Sequence, residues 1–110
     1  MKTQKKIVLE YIDYFNLHDV KSISKLLDEA IELQDWDIKS NGKTKVLNSF
    51  QNIFDTLKTI KINIIKIYEL DYTIIAHLEI FLNKNDKISV IDIIEFSSTN
   101  KIKKIRAFKG

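Results

Sequence analysis

Three polar side chains that could handle a proton lie within apolar patterns of the sequence. Asp92 interrupts the apolar run VIDIIEF, Asp35 closes an alternating segment, and Tyr11 lies in an apolar helical stripe. Burying an isolated ion is costly, so a carboxyl group in such a setting favours its neutral, protonated form. A neutral aspartic acid and a tyrosine donate hydrogen bonds, whereas an ionised aspartate accepts a proton. The three residue types therefore suggest acid–base chemistry.

Side-chain alternation predicts that both aspartates face the same interior. On one face of residues 87–96 every side chain is apolar except Asp92, and that face carries no lysine or arginine. Residues 30–36 are predicted to form the first strand, in which Ile31 and Leu33 share a face with Asp35, and Trp36 is predicted on the opposite face.

A structural role is open for each of the three residues at this point. Asp92 could bind a neighbouring backbone group, Asp35 could lie in an exposed turn, and Tyr11 could be an ordinary core residue.

Periodicity in the first half of the chain predicts three helices that would pack on these strands. Apolar residues three and four positions apart indicate a first helix over residues 8–15. A short second helix is predicted around residues 23–27, and a third over residues 46–57, just after Gly42.

The second half of the chain reads as strands. Four isoleucine-rich segments are separated by short polar turns, so consecutive strands should pair antiparallel. Helices followed by a sheet predict an α+β fold, with the helices on one face of the sheet. The predicted strands are residues 59–70, 72–82, 87–96 and 101–108.

Composition limits the classes of function. The 110 residues suit one domain, residues 1–110, and the absence of cysteine excludes disulfides and thiolate metal sites. The net charge is +3, and only Arg106 among 18 basic residues is arginine, so we expect no nucleic-acid binding. The two histidines make no metal motif. With no signal peptide pattern and no apolar run long enough to span a bilayer, we expect a cytoplasmic protein that does not bind membranes.

Two segments give the chain a family resemblance. VLEYIDYFNLHDVKSISKLLDEAIELQD (residues 8–35) resembles the opening helices and first strand of the NTF2-like superfamily, within it the SnoaL-like and ketosteroid-isomerase-like proteins. VIDIIEFSSTNKIKKIRAF (residues 90–108) is similar to the closing hairpin of such isomerases. The resemblance implies a cone in which three N-terminal helices pack on a curved, mainly antiparallel sheet around an apolar cavity.

The resemblance also implies a role for each polar residue. Tyr11 matches the tyrosine and Asp92 the protonated acid of an oxyanion hole, and Asp35 matches the base, a division of labour for which ketosteroid isomerase is a well-known example. No metal or organic cofactor is implied. The chain departs from the pattern in two ways. Trp36 stands where the isomerases have proline, and the segment over residues 37–42 is shorter than theirs. Asp37 is therefore an alternative base.

Two functions follow as expectations. The first is a ketosteroid-isomerase-like enzyme that shifts a proton next to a carbonyl of a small apolar substrate through an enolate. The second is a non-catalytic protein that uses the same cavity or sheet to bind a small apolar ligand or a protein partner.

A homodimer through the outer sheet face is also predicted, because that face would expose many apolar side chains. Its predicted apolar members are Ile65, Ile67, Ile75, Phe81, Ile91 and Ile93.

Overall fold

Three helices and six strands make up the computed structural model, which describes residues 2–110. The helices are α1 (Gln4–Asn16), α2 (Val20–Ser24) and α3 (Lys43–Thr56). The strands are β1 (Leu27–Gln34), β2 (Lys39–Asn41), β3 (Lys61–Leu70), β4 (Thr73–Phe81), β5 (Lys87–Phe96) and β6 (Ile102–Lys109).

The helix boundaries follow from local capping chemistry. The side chain of Thr3 caps α1 by accepting a hydrogen bond from the backbone N–H of Lys6, and that of Asp19 caps α2 in the same way. Gly42 precedes α3 with φ of +89°, a conformation that glycine adopts without strain. The apolar stripe of α1 is buried as predicted, including Tyr11.

The strands form one open sheet in the order β2-β1-β6-β5-β4-β3. The strands from β3 to β6 pair antiparallel with their neighbours in the chain, as predicted. Within residues 2–110 the one parallel pairing joins β1 to β6, and it brings the end of the first strand close to the end of the last.

Interruptions of strand register curve the sheet. They occur in β1, in β3 and at the start of β6, and the extra residues bend these strands. The helices pack on the concave face and bury a core of isoleucine, leucine, valine and phenylalanine. The predicted α+β architecture, with the helices on one face of the sheet, is confirmed. Within residues 2–110 no helix is both long and apolar enough to cross a bilayer.

Two local predictions in the first half of the chain were wrong. The second helix ends at Ser24, and Leu27 begins β1 instead of closing a helix turn. The first strand ends at Gln34, so Trp36 lies in a turn and its predicted strand face does not apply. The short strand β2 was not predicted, because three polar residues carry no periodic signal.

The outer sheet face also differs from the prediction. A bulge between Ile64 and Lys66 reverses the alternation in β3, so Ile67 lies opposite Ala76 on the inner face. The same bulge turns Tyr68 to the outer face, where it is exposed.

Candidate functional site

A cavity of about 300 Å³ lies between the helices and the concave face of the sheet. It is open to solvent at one end, and its walls are mostly aliphatic and aromatic. Its volume lies at the small end of the range for ligand pockets. The helices and the segment after α3 contribute Phe15, Phe50, Ile53, Leu57 and Ile60; the sheet contributes Leu33, Ile62, Ile80, Ile88 and Ile105.

All three predicted site residues, Tyr11, Asp35 and Asp92, line this cavity. The strand register explains how the two aspartates meet there: Ala107 lies directly opposite Asp92 on β6. Because the last residue of β1 is level with Arg106, Asp35 comes next to Ala107. Neighbouring strands are roughly 4.8 Å apart, so roughly 10 Å separates the two aspartate backbones.

Small residues on both sides of Asp92 leave room around its carboxyl group. Ala107 flanks it on β6 and Ala76 flanks it on β4. Ala107 also lines the cavity, so a larger side chain there would fill part of the space beside Asp92.

Asp92 is the one acidic or basic residue within residues 2–110 that is buried, with 5% of its surface exposed. Burial raises its pKa to about 7, and the negative charge of Asp35 acts in the same direction. Below about pH 7 Asp92 is therefore a neutral acid with a proton to donate.

Tyr11 is held by aromatic neighbours. Its ring makes edge-to-face contacts with Phe15 and Phe50, at 6.4 Å and 6.0 Å between ring centroids. Burial, and secondarily the charge of Asp92, raises the pKa of Tyr11 well above its ordinary value. The hydroxyl group stays neutral at physiological pH and is a hydrogen-bond donor.

The polar atoms of Tyr11 and Asp92 are directed at the cavity rather than at protein partners. Within residues 2–110 neither side chain hydrogen-bonds to another protein group, although many other polar side chains do. In the same residues Glu10 Oε1 is the only fully enclosed side-chain atom without a hydrogen-bond partner. The Tyr11 hydroxyl and the Asp92 carboxyl therefore border open cavity space, where each could donate a hydrogen bond to a ligand.

Asp35 is fixed by its own turn. Its Oδ1 accepts hydrogen bonds from the backbone N–H groups of Asp37 (2.7 Å) and Ile38 (2.6 Å), and its own N–H donates to the Ile38 carbonyl. Such an Asx turn is common at strand ends. It leaves Oδ2 without a hydrogen bond to any of residues 2–110, so one carboxylate oxygen is available to take a proton.

Asp37 and Trp36 lie at the open end of the cavity. Both line it and both are exposed, whereas Asp35 is half-buried. Asp37 was predicted as an alternative base; the first strand ends before it, and the turn after β1 brings it to the cavity. Its backbone supports Asp35, which makes Asp35 the better placed of the two carboxylates.

Lys109 is a member of the cavity wall that the sequence did not reveal. It is the last residue of β6, and its Nζ lies 5.3 Å from the centre of the Trp36 ring. The strand prediction stopped at residue 108, one residue short. Extending the alternation from Ala107 would have found it.

Within residues 2–110 no cluster of three or more histidine, cysteine or acidic residues could hold a metal ion. The polar side-chain groups at the site are one hydroxyl, three carboxyl groups, one ammonium group and the indole N–H of Trp36.

No protein-family model matches the sequence, and no curated protein matches it. Solved structures do. An NTF2-like protein of unknown function from Cytophaga hutchinsonii superposes with a TM-score of 0.86 at 15% identity, covering 100% of this chain and 92% of the other. The epoxide hydrolase/cyclase-like enzyme SalBIII, described for pyran ring formation in salinomycin, gives 0.84 at 22% identity, covering 97% and 90%.

A de novo designed protein with a curved β-sheet gives a TM-score of 0.82 at 18% identity, covering 100% of this chain and 88% of the other. Further neighbours are SnoaL-like and ketosteroid-isomerase-like proteins. These likenesses show that the chain has the NTF2-like fold. Because natural proteins of unknown function and a designed protein share it, the fold alone assigns no activity.

Proposed function

We propose that the protein is a ketosteroid-isomerase-like acid–base enzyme, which shifts a proton next to a carbonyl group of a small apolar substrate. The observation that carries the proposal is the convergence of Tyr11, Asp92 and Asp35 on one apolar cavity. Two of these groups are neutral donors below about pH 7, and the third has a free carboxylate oxygen. The proposed reaction uses these three side chains and needs no cofactor.

In the proposed reaction Asp35 Oδ2 removes a proton from the carbon next to the substrate carbonyl. The electron pair of that C–H bond forms a C=C bond, and the carbonyl π electrons move to oxygen, giving an enolate. If the substrate carries a C=C bond between the β- and γ-carbons, the enolate is conjugated with it. Asp35 then returns the proton to the γ-carbon while the carbonyl re-forms and the C=C bond moves to the α- and β-carbons, so the substrate is isomerised and the enzyme is restored. Asx-turn hydrogen bonds hold the base in place throughout.

Tyr11 and Asp92 stabilise the enolate oxygen by donating hydrogen bonds to it. Their polar atoms have no competing hydrogen bond from residues 2–110, and the surrounding apolar walls strengthen a charge-assisted bond. The burial that keeps Asp92 protonated thus has a catalytic use. An ionised Asp92 would repel the enolate instead.

Proton abstraction can be tested without the natural substrate. 2-Tetralone is a small apolar ketone, and loss of its α-protons to D₂O is followed by NMR. We expect the wild type to accelerate exchange and Asp35→Asn to lower the rate by about 10²-fold or more, the usual contribution of a general base. The matched control, Asp37→Asn, removes the neighbouring carboxylate and should retain most of the rate.

The alternative, a non-catalytic protein that binds a small apolar ligand, makes a different prediction for the same variants. A binder would give no protein-dependent exchange with 2-tetralone or any related ketone. Its affinity for a phenol such as 2-naphthol would be the same in Asp35→Asn and in the wild type. Loss of exchange with retained 2-naphthol binding in Asp35→Asn would instead support the enzyme.

A further inference from the structure

The charges around the cavity are unevenly placed. Asp35, Asp37 and Asp92 supply carboxyl groups, and within the described chain Lys109 is the one basic residue that lines the cavity. Lys109 is exposed, so its ammonium group stays in contact with solvent beside the cavity and can be reached by a ligand.

Lys109 is not committed to a protein carboxylate. Four ion pairs connect residues 2–110, and Lys109 belongs to none of them; neither Asp35 nor Asp37 is its partner. Its contact is with the face of Trp36, with Nζ 5.3 Å from the ring centre. A cation–π contact orients an ammonium group but leaves its charge uncompensated and its N–H donors free for another acceptor.

Strand register places Lys109 relative to the proposed oxyanion hole. Ala107 lies opposite Asp92, and Lys109 follows on the same face of β6, opposite Val90. Two residues along a strand cover roughly 7 Å, so the lysine backbone lies that far from the hole, toward the open end of the cavity. A ligand whose carbonyl reaches Asp92 would extend past Ala107 to the ammonium group.

We propose that the cavity takes an apolar carbonyl compound that also carries a carboxylate at its far end, and that Lys109 binds this carboxylate. The carbonyl oxygen lies at Tyr11 and Asp92, the apolar body lies along Ala107, and the carboxylate lies at the entrance beside Trp36. The inference rests on the proposed function, whose enolate site fixes one end of the ligand. Lys109 is a specificity residue and takes no part in proton transfer.

Two matched phenols test the proposal by calorimetry. 2-Naphthol imitates an enolate of 2-tetralone, and 6-hydroxy-2-naphthoate has the same ring with a carboxylate at the opposite end. At about pH 6 Asp92 is still neutral, because its pKa is about 7. The wild type should bind the carboxylate compound about fivefold more tightly, the size expected for a partly exposed ion pair.

Substitutions distinguish an effect of Lys109 on this preference from an effect of the protein's overall charge. Lys109→Met should abolish the preference for 6-hydroxy-2-naphthoate while 2-naphthol binds as before, and Lys109→Arg should keep it. Lys5→Met removes one charge from an exposed position of α1 and should also keep the preference. Added salt should reduce the preference in the wild type but not in Lys109→Met.

The outcomes distinguish this inference from the proposed function. Equal binding of the two phenols by the wild type, or a preference that survives in Lys109→Met, overturns the role of Lys109 and leaves the enolate site standing. Failure of both phenols to bind overturns the enolate site, and the inference falls with it.

Discussion

Replacing Asp92 by asparagine should make the protein more stable, and increasingly so as the pH rises. Asparagine has nearly the shape of a protonated aspartic acid, but it does not ionise in the accessible pH range. Because burial raises the pKa of Asp92 to about 7, the folded protein binds a proton that the unfolded chain releases near pH 3.8. Between these values the native state binds more protons, so the free energy of unfolding falls as the pH rises.

The magnitude follows from the pKa difference. The pKa values of about 7 and 3.8 differ by about three units, and each unit corresponds to about 1.4 kcal/mol. Ionised Asp92 therefore costs the folded state roughly 4 kcal/mol relative to its neutral form. That cost is absent below about pH 4 and complete above about pH 7. The Asp92→Asn variant lacks it at every pH.

Urea unfolding of the two proteins between about pH 4 and about pH 9 measures the difference in the free energy of unfolding. The stabilisation by Asp92→Asn should grow by roughly 4 kcal/mol across this range. Asp71→Asn, at an exposed position in the turn after β3, is the control and should show no such growth. A constant difference between wild type and Asp92→Asn at all pH values would refute the argument that Asp92 is held neutral by burial.

Three further predictions concern the cavity and the outer sheet face. Tyr11→Phe should retain the fold and lower the 2-tetralone exchange rate by about 10²-fold, the usual effect of losing one oxyanion donor. An unchanged rate would show that Tyr11 does not stabilise the enolate. Ala107→Leu should fill the space beside Asp92 and weaken 2-naphthol binding by about tenfold or more. Calorimetry measures the affinity, with Ala30→Leu as a control at an exposed position. An unchanged affinity in Ala107→Leu would place the ligand elsewhere. Light scattering at micromolar concentration should give a dimer that Tyr68→Lys weakens, and a wild-type monomer would contradict a dimer through the exposed outer face.

The aspartates could be predicted because strand alternation is a strong local constraint. Asp92 shares its face with apolar residues along an uninterrupted strand, so its direction was fixed by its neighbours. Asp35 reaches the same cavity for a different reason than the one used to predict it. The strand ends before it, and an Asx turn, rather than the pleat, aims its side chain.

The features that could not be predicted depend on partners distant in sequence. The bulge that turns Ile67 inward is set by pairing between β3 and β4, and no residue type in β3 marks it. The position of Trp36 depends on the turn after β1, and its contact with Lys109 joins that turn to the end of the last strand. The alternation of residues within one β-strand carries no information on such contacts.

The most direct test of the account is the pH dependence of α-proton exchange in 2-tetralone, measured by NMR for the wild type and Asp92→Asn. The substrate does not ionise, so the profile reports groups on the free enzyme. The wild-type rate should fall above about pH 7 as Asp92 loses its proton, and this fall should be absent in Asp92→Asn. A rate no higher than that of the buffer, or the same fall in both proteins, would contradict a neutral Asp92 acting in an oxyanion hole.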